Sequence, residues 1–188
     1  MANSFSACTG TGVALVMLII LAAAAAVISS DAGRQKLKKT EMSFYMHDYE
    51  TQQKEENITN IVIAGNPKAK WYILTFGSLY AYDDAITTTI DRKSNVLGRA
   101  QGIYVNTALD GSDLHILVSF IFTNKEYNGS TIEIQGADRF FLPSREVSVV
   151  SGTGKFRMAR GWDSIETVMI DIPNLNAILR WNLTVFHY

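Results

Sequence analysis

Short runs of alternating apolar and polar residues, separated by turn signals, recur along most of the chain. In the run from Thr131 to Gln135, Ile132 and Ile134 share one parity, and the polar residues share the other. A period of two is typical of a strand with one buried face. No segment after residue 32 shows the i, i+3, i+4 apolar spacing of an amphipathic helix. The chain is therefore predicted to be all-β.

The number and spacing of the runs predict about eight strands in an antiparallel barrel or a sandwich. Eight strands closed on themselves leave a lumen wide enough for one small organic ligand, and we favour the eight-stranded antiparallel β-barrel. The candidate extended segments are Met42–Tyr49, Asn60–Ala64, Trp71–Tyr82, Leu97–Asn106, Leu114–Thr123, Thr131–Gln135, Glu146–Val150, Phe156–Ala159, Ile165–Ile170 and Ala177–Tyr188.

The segment Leu114–Thr123 is apolar on both parities, with Leu117 and Ile121 opposite the residues of the main apolar face. A strand of this kind is covered on both faces. In an all-β domain the second cover is expected to be another subunit.

An apolar, alanine-rich run of 16 residues, Val13–Ile28, precedes the candidate strands. The run is shorter than the roughly 20 residues that span a bilayer, and Ser30-Asp31-Ala32 has the small-x-small pattern of a signal cleavage site. We expect residues 1–32 to be a cleaved secretory signal, residues 33–40 a loose basic linker, and residues 41–188 the folded domain.

Secretion would present three N-x-[ST] sequons for glycosylation, at Asn57, Asn128 and Asn182. The single cysteine, Cys8, lies within the predicted signal. The secreted domain would then contain no disulfide, no thiol nucleophile and no thiolate metal site.

Charge and motif content narrow the classes of partner. Without Asp31 the chain has 17 basic and 17 acidic residues, a balance that gives no reason to expect nucleic acid or an anionic membrane as partner. His47, His115 and His187 have no metal-ligand spacing, so no metal site is expected. The glycine-containing stretches at Gly98–Gly102 and Gly152–Gly154 lack dinucleotide or phosphate-loop spacing, and no cofactor is implied.

An acid and a guanidinium bracket one of the predicted strand connections. Asp138 and Arg145 bracket the loop between the predicted strands Thr131–Gln135 and Glu146–Val150. Both side chains could face one cavity there. The alternative is a surface ion pair, which would contribute little.

Asp48 ends an otherwise apolar strand face that begins at Met42. If this face points inward, desolvation raises the pKa of the carboxyl and suits it to donate a proton. The alternative is a strand-end residue that bonds the backbone. For the neighbouring acids Asp83 and Asp84, a turn is favoured over a cation site or a pair that shares a proton.

Several ordered motifs across residues 44–188 resemble those of plant dirigent proteins. They are F-Y-M-H-D at 44–48, F-G at 76–77, Y-D-D at 82–84, G-R-A-Q-G-I-Y at 98–104, Y-N-G-S-T at 127–131, G-A-D at 136–138, R-E at 145–146, G-T-G-K-F-R-M-A-R-G at 152–161 and H-Y at 187–188. The resemblance implies an eight-stranded barrel of the allene-oxide-cyclase-like kind, assembled as a homotrimer and secreted to the apoplast.

The resemblance also implies a function without an oxidising centre. In dirigent proteins a separate laccase or peroxidase makes phenoxy radicals from a monolignol such as coniferyl alcohol, and the barrel directs their coupling towards optically active lignans. The protein would then be a stereo-directing protein that is not itself an oxidising enzyme and that needs no cofactor.

Carried over by motif, Asp48, Asp138 and Arg145 match the reactive pocket positions, and Tyr104 and Thr167 match further pocket-lining positions. These residues would hold a phenoxy radical or quinone methide by hydrogen bonds while an acid protonates the methide oxygen.

Departures from the family pattern leave the product open. Pinoresinol-forming members usually carry a disulfide for which this chain has no cysteines. Ala85 and Ser151 stand where proline and glycine are usual. The missing disulfide places the chain nearer the dirigent-like branch, which includes pterocarpan-forming dehydratases. The alternatives are therefore a dehydratase that cyclises an isoflavanol-like substrate through a quinone methide, and a barrel that only binds small ligands.

Overall fold

Nine β-strands make up most of the chain that the computed structural model describes, namely residues 36–51 and 57–188. The strands are β1 (Lys38–Tyr49), β2 (Asn60–Ala64), β3 (Leu79–Thr87), β4 (Val96–Asn106), β5 (Leu114–Phe122), β6 (Thr131–Asp138), β7 (Arg145–Gly152), β8 (Arg160–Asp171) and β9 (Asn176–His187). The predicted signal, residues 1–32, lies outside the described residues. Within them, no helix has the length and apolarity needed to cross a bilayer.

Eight of these strands close into a barrel. Each is antiparallel to its neighbours in the order β1-β9-β8-β7-β6-β5-β4-β3, and β1 pairs with β3 from Tyr45–Thr87 to His47–Ala85. The short strand β2 lies beside the other half of β3, with Asn60 opposite Tyr82. The prediction of an eight-stranded antiparallel β-barrel is confirmed.

One half of the lumen is filled by aromatic and aliphatic side chains. Phe44 and Trp181 each meet the Phe120 ring edge-to-face at a centroid distance of 4.9 Å, an arrangement that adds to the stabilisation from burial. Ile132 and Leu183 are also fully buried in this half. Because this packing fills one half, the space left within the described barrel lies towards the end where β1 reaches Tyr49.

Gly102 on β4 makes room for a tyrosine of the open half. A Cβ atom at position 102 would lie 2.1 Å from the backbone oxygen of Leu117 and 2.9 Å from the hydroxyl of Tyr82. The absence of a side chain therefore lets the strands approach and leaves the Tyr82 ring its place on the inner wall.

Two predicted extended segments differ from the structure. Residues Tyr72–Leu74, predicted within a strand, form a 3-10 turn, and β3 begins only at Leu79. In the segment Phe156–Ala159, Phe156 ends another 3-10 turn, Gly154–Phe156, and β8 begins at Arg160. Tyr72 and Ile73 are partly buried against the core, and Phe156 and Ala159 are fully buried, so the apolar residues of both segments reflect packing and not strand pairing.

The predicted linker boundary also changes. Lys38, Lys39 and Thr40 are already part of β1 and pair with His187, Phe186 and Val185 of β9. The last strand is long enough to provide backbone partners for these residues, which the polar sequence of the linker did not indicate.

A row of apolar side chains crosses the outside of the barrel. Ile61, Ala81, Ile103 and Leu117 are successive register partners on β2, β3, β4 and β5. Ile61, Ile103 and Leu117 are 55%, 38% and 42% exposed. We call these four residues the outer apolar row. It agrees with the prediction that the outer face of Leu114–Thr123 is apolar.

One carboxyl group lies within the filled half of the lumen. Asp163 is fully buried, has Val147 and Leu183 as register partners, and neither of its oxygens makes a hydrogen bond within the described part of the chain. Burial raises the pKa of Asp163 well above its usual value, and the backbone amides of Asn182 and Ser164 only partly oppose this rise.

Wild type is expected to become less stable as the pH rises, because Asp163 ionises while buried. Asp163→Asn should not show this loss of stability. Because the folded-state pKa exceeds the unfolded value of about 3.9, the stabilising contribution of Asp163 is complete below that pH and is lost as the pH rises through the folded-state pKa. Urea unfolding at a series of pH values from 4 upwards should show a growing advantage of the variant. Asp83→Asn, on the outer surface, is the control, and parallel pH curves for wild type and Asp163→Asn would contradict the expectation.

Candidate functional site

A cavity of about 580 Å³ occupies the open half of the barrel. Its volume lies in the range of small-molecule sites, roughly 300–1,000 Å³. Apolar side chains such as Met46, Ile116 and Trp181 form much of its wall. The five residues carried over from the family resemblance also line it, namely Asp48, Tyr104, Asp138, Arg145 and Thr167.

Asp138 and Arg145 form a buried ion pair in the cavity wall. They are the last residue of β6 and the first of β7, and Arg145 Nε donates to Asp138 Oδ1 at 2.7 Å. Arg145 Nη1 also donates to Thr167 Oγ1 at 3.0 Å. The two charged side chains are only 8% and 2% exposed, so the alternative of a surface ion pair is wrong. Charge-assisted bonds in this setting fix the guanidinium in one orientation.

Asp48 lies on the inner face of β1 and is held by a buried amide. Asn60 Nδ2 donates to Asp48 Oδ1 at 2.8 Å and to the Tyr104 hydroxyl oxygen at 2.6 Å. Burial raises the pKa of Asp48 to about 6, and the hydrogen bond from Asn60 partly opposes this rise. A carboxyl with this pKa is suited to give up a proton at mildly acidic to neutral pH.

Glu50 is a further acid of the same wall. It lines the cavity two residues after Asp48, on the same strand parity. Burial and then the charge of Asp48 raise the pKa of Glu50 to about 7. The open half of the lumen therefore holds two acids that are close in sequence, Asp48 and Glu50, whose pKa values lie near neutral pH.

Three tyrosine rings pack together beside these acids. Tyr80 stacks on Tyr104 with ring centroids 4.5 Å apart, and Tyr82 lies 5.7 Å from Tyr104. Burial raises the pKa of Tyr104 well above its usual value, as does the charge of Asp48. The Tyr104 hydroxyl thus stays neutral and can donate a hydrogen bond to a ligand oxygen.

The predicted turn at Asp83 and Asp84 is wrong, since both residues lie within β3. Asp83 points outward and accepts from Arg99 Nε at 2.6 Å. Asp84 points inward and is fully buried. The reason is the alternation Tyr80, Tyr82, Asp84, Ile86, which places the second acid on the inner face.

The histidines do not join the acids of the cavity. His47 is buried on the opposite face of β1 from Asp48, and its Nε2 lies 2.8 Å from Thr87 Oγ1. Burial, then the charge of Arg92, lowers the pKa of His47 to about 4, against the opposing charge of Asp91. Among residues 36–51 and 57–188, no group of three or more His, Cys, Asp or Glu is placed to hold a metal ion.

An apolar rim surrounds the cavity mouth. Trp71, Phe141, Ile170 and Ile172 line the cavity and also rank among the exposed large apolar side chains. Trp71, Phe141 and Ile172 come from three separate connections between strands, and Ile170 lies near the end of β8. The entrance is therefore suited to an aromatic or aliphatic molecule more than to a charged one.

The three sequon asparagines differ in exposure. Asn57 and Asn128 are exposed, whereas Asn182 is partly buried and accepts a hydrogen bond from the Ser43 hydroxyl at 2.8 Å.

Sequence reasoning missed Asn60, Glu50 and Asp84. Asn60 opens a predicted strand, and its parity with Val62 was a usable signal that it faces inward. Glu50 follows the parity of Asp48, and Asp84 that of Tyr82. All three would have emerged if the alternation had been extended through the polar residues at the strand ends.

Comparisons with known proteins identify relatives along nearly the whole described barrel. The family model described as "Dirigent-like protein" matches residues 39–186. Pterocarpan synthase 1 of Glycyrrhiza echinata is 36% identical over 157 residues, covering 83% of this chain and 82% of the relative. Dirigent protein 23 of Arabidopsis thaliana is 35% identical over 179 residues, covering 93% and 94%. The solved structure of the pterocarpan synthase dirigent protein GePTS1 superposes with a TM-score of 0.78 at 33% identity, covering 85% of this chain and 96% of that one.

Proposed function

The chain belongs to the dirigent family, and on this basis we propose that it directs the stereochemistry of phenoxy radical coupling within its cavity. The radicals, for example from coniferyl alcohol, are supplied by a separate laccase or peroxidase. The observation that carries the proposal is a single apolar cavity lined both by the buried Asp138–Arg145 pair and by Asp48, an acid with a pKa of about 6.

The residues have distinct roles in this proposal. Coupling of two radicals gives a quinone methide, whose ring oxygen is an acceptor for the donors Arg145 and Tyr104. When an alcohol oxygen of the bound molecule adds to the methide carbon, electrons move to the ring oxygen, which takes a proton from Asp48. The alcohol releases its own proton, and one proton returns to Asp48. A fixed orientation of the methide decides which face is attacked.

The proposal is tested by supplying phenols with and without an oxidase and separating the products by chiral chromatography. With a laccase present, one enantiomer should predominate and its excess should rise to a plateau as the protein is increased. Racemic products from a panel of phenols at saturating protein would overturn the proposal. If phenols bind but product ratios do not change, the barrel is a binding protein only.

A second candidate function is dehydration and cyclisation of an isoflavanol-like substrate. It is favoured by the similarity to a relative and a solved structure that are both named as pterocarpan synthase. In this reaction Asp48 would protonate the departing hydroxyl, water would leave, and the ring phenol would return a proton to Asp48 to give the quinone methide. A second phenol oxygen would then attack the methide carbon, and its proton would pass to the methide oxygen. Turnover without any oxidase distinguishes it from coupling. Under this candidate the protein is an enzyme, so the expectation of a non-enzymatic role stays a prediction.

The outer apolar row supports a proposed association of three copies, the state that the family resemblance implies. Leu117→Arg is expected to place a charge at the β5 end of this row and dissociate the assembly, because a desolvated unpaired charge is costly. Light scattering should give a smaller mass for the variant than for wild type. Val150→Arg, on the outer face of β7, serves as the control, and a monomeric wild type would contradict the proposal.

We also propose that the protein is secreted to the apoplast and glycosylated at its exposed sequons. The exposure of Asn57 and Asn128 supports modification there more than at Asn182. Expression in a plant secretory host followed by mass spectrometry with and without a glycosidase tests this, and an unmodified protein retained in the cell would contradict it.

A further inference from the structure

Asp84 is a buried carboxyl group that the roles described above do not use. It is fully buried on the inner face of β3, and within the described residues only the side chain of Thr59 lies close enough to its oxygens to lower its pKa by hydrogen bonding. An isolated buried carboxylate carries a large desolvation cost, so a carboxyl in this position is held in its neutral form.

The register of the barrel places Asp84 beside Asp48. The closing pairs between β1 and β3 are Tyr45–Thr87, Met46–Ile86 and His47–Ala85. One further step of this register sets Asp48 opposite Asp84, with both side chains on the inner face. At this point Thr59 enters between the strands, its N–H donating to the oxygen of Tyr49 and its oxygen accepting from the N–H of Asp83, both at 2.9 Å.

We propose that Asp48 and Asp84 form a coupled acid pair that carries one negative charge at neutral pH, with the remaining proton held by Asp84. Two carboxylates facing each other in a dry wall cannot both ionise easily. Asp48, which accepts from Asn60 and lines the cavity, is the member that ionises. Asp84, behind the cavity wall, is the member that keeps its proton.

The other charged and titratable groups around the pair agree with this assignment. Burial, and then the charge of Asp48, raise the pKa of Asp84 well above its usual value. Thr59 on the incoming loop and Arg99 on β4 oppose the rise, while Asp83 on the outer face adds to it. From the lumen side, Tyr82 faces the pair, and its pKa is raised by burial and by the charges of Asp84, Asp48 and Asp138.

Glu50, Tyr80 and Tyr104 also face Asp48. The pKa values of all three are raised by burial and also by the Asp48 charge. Among the described residues, no basic side chain is among the groups that perturb Asp48, and the amide of Asn60 is the partner that stabilises its carboxylate. For a second negative charge on Asp84, the described residues offer the charge of Arg99, which is already bonded to Asp83.

Asp84 is thus a positioning residue that acts through Asp48. At neutral pH the proton of Asp84 can pass to the ionised Asp48, which can then give it to a bound intermediate. This use of the pair rests on the proposed function, whereas the sharing of protons does not.

Carbon-13 NMR of aspartate carboxyls in the full protein tests the pair directly. In wild type the Asp84 resonance should report a neutral carboxyl at pH 7. Asp48→Asn should lower the pKa of Asp84 by more than about 1, because the neighbouring charge is gone. Asp84→Asn should remove that titration and leave the Asp48 titration in place, and Asp163→Asn identifies the signal of the other buried acid.

An ionised Asp84 at pH 7, or an Asp84 pKa that does not respond to Asp48→Asn, would overturn the proposal. The second readout is the pH dependence of product formation. Asp84→Asn should move the alkaline limb of the profile to lower pH, while Asp83→Asn, its exposed neighbour, should not. A protein without activity on phenols can still show the coupled titration, so failure of the proposed function and failure of the acid pair are distinguishable.

Discussion

Asp48→Asn is expected to lower the rate of product formation by about 10²- to 10⁴-fold, the usual contribution of a positioned general acid. Asparagine keeps the shape of the side chain but has no proton to transfer. The amide of Asn60, which donates to Asp48 Oδ1, can donate equally to the oxygen of an asparagine. The variant should therefore fold and bind phenols like wild type, and only the acid-dependent step should slow.

The measurement differs with the reaction. In an oxidase-coupled assay the enantiomeric excess should fall towards zero, because uncatalysed closure in solution competes with the slowed reaction in the cavity. In an assay without oxidase the turnover itself should fall. Asp83→Asn is the matched control on the outside of β3, and an Asp48→Asn variant with full stereoselectivity would show that another group supplies the proton.

The barrel could be predicted from the sequence because the alternation of apolar and polar residues along a strand indicates which face is buried. The inner-face residues of β5, from Leu114 to Phe122, are all buried as their parity indicates. Ile132 and Ile134 of β6 are buried in the same way. Local alternation was sufficient here because the core face of each strand is continuous.

The same pattern could not predict the closure of the barrel or its half-filled lumen. Closure depends on the pairing of β1 with β3, whose residues are about 40 positions apart in pairs such as His47 and Ala85. The filled half depends on the mutual fit of Phe44, Phe120 and Trp181 from three distant strands. Such contacts are decided by three-dimensional packing, which alternation does not encode.

The candidate site was predicted in part. Family motifs and parity pointed to Asp48 and to the Asp138–Arg145 connection, and the structure places these three residues on one cavity. Asp84 was missed because it was interpreted as part of a turn, and Asn60 because it was not assigned to the inner face of its predicted strand, whereas here both are buried. The partner of a buried polar group is a tertiary property, so the sequence around Asp84 alone could not reveal Asp48.

Breaking the buried Asp138–Arg145 ion pair is expected to have the second large effect. Arg145→Leu leaves the Asp138 carboxylate without its cation in a wall where it is only 8% exposed. Removing one partner of a buried ion pair typically costs about 3–5 kcal/mol, so the free energy of unfolding should fall by that amount. Replacing both residues, in Asp138→Leu with Arg145→Leu, removes both charges and should recover most of the stability.

The exposed pair Arg180–Glu166 on β9 and β8 provides the comparison. Its side chains are 38% and 32% exposed, and Arg180→Leu should cost no more than about 1 kcal/mol. Urea unfolding of the three variants separates electrostatic from packing effects, because both single arginine changes remove a side chain of the same size. The Asp138→Leu, Arg145→Leu protein should be folded but should give racemic product. If this stable double variant retained stereoselectivity, the pair would have a structural role only, and orientation of the bound intermediate would have to come from Asp48 and Tyr104.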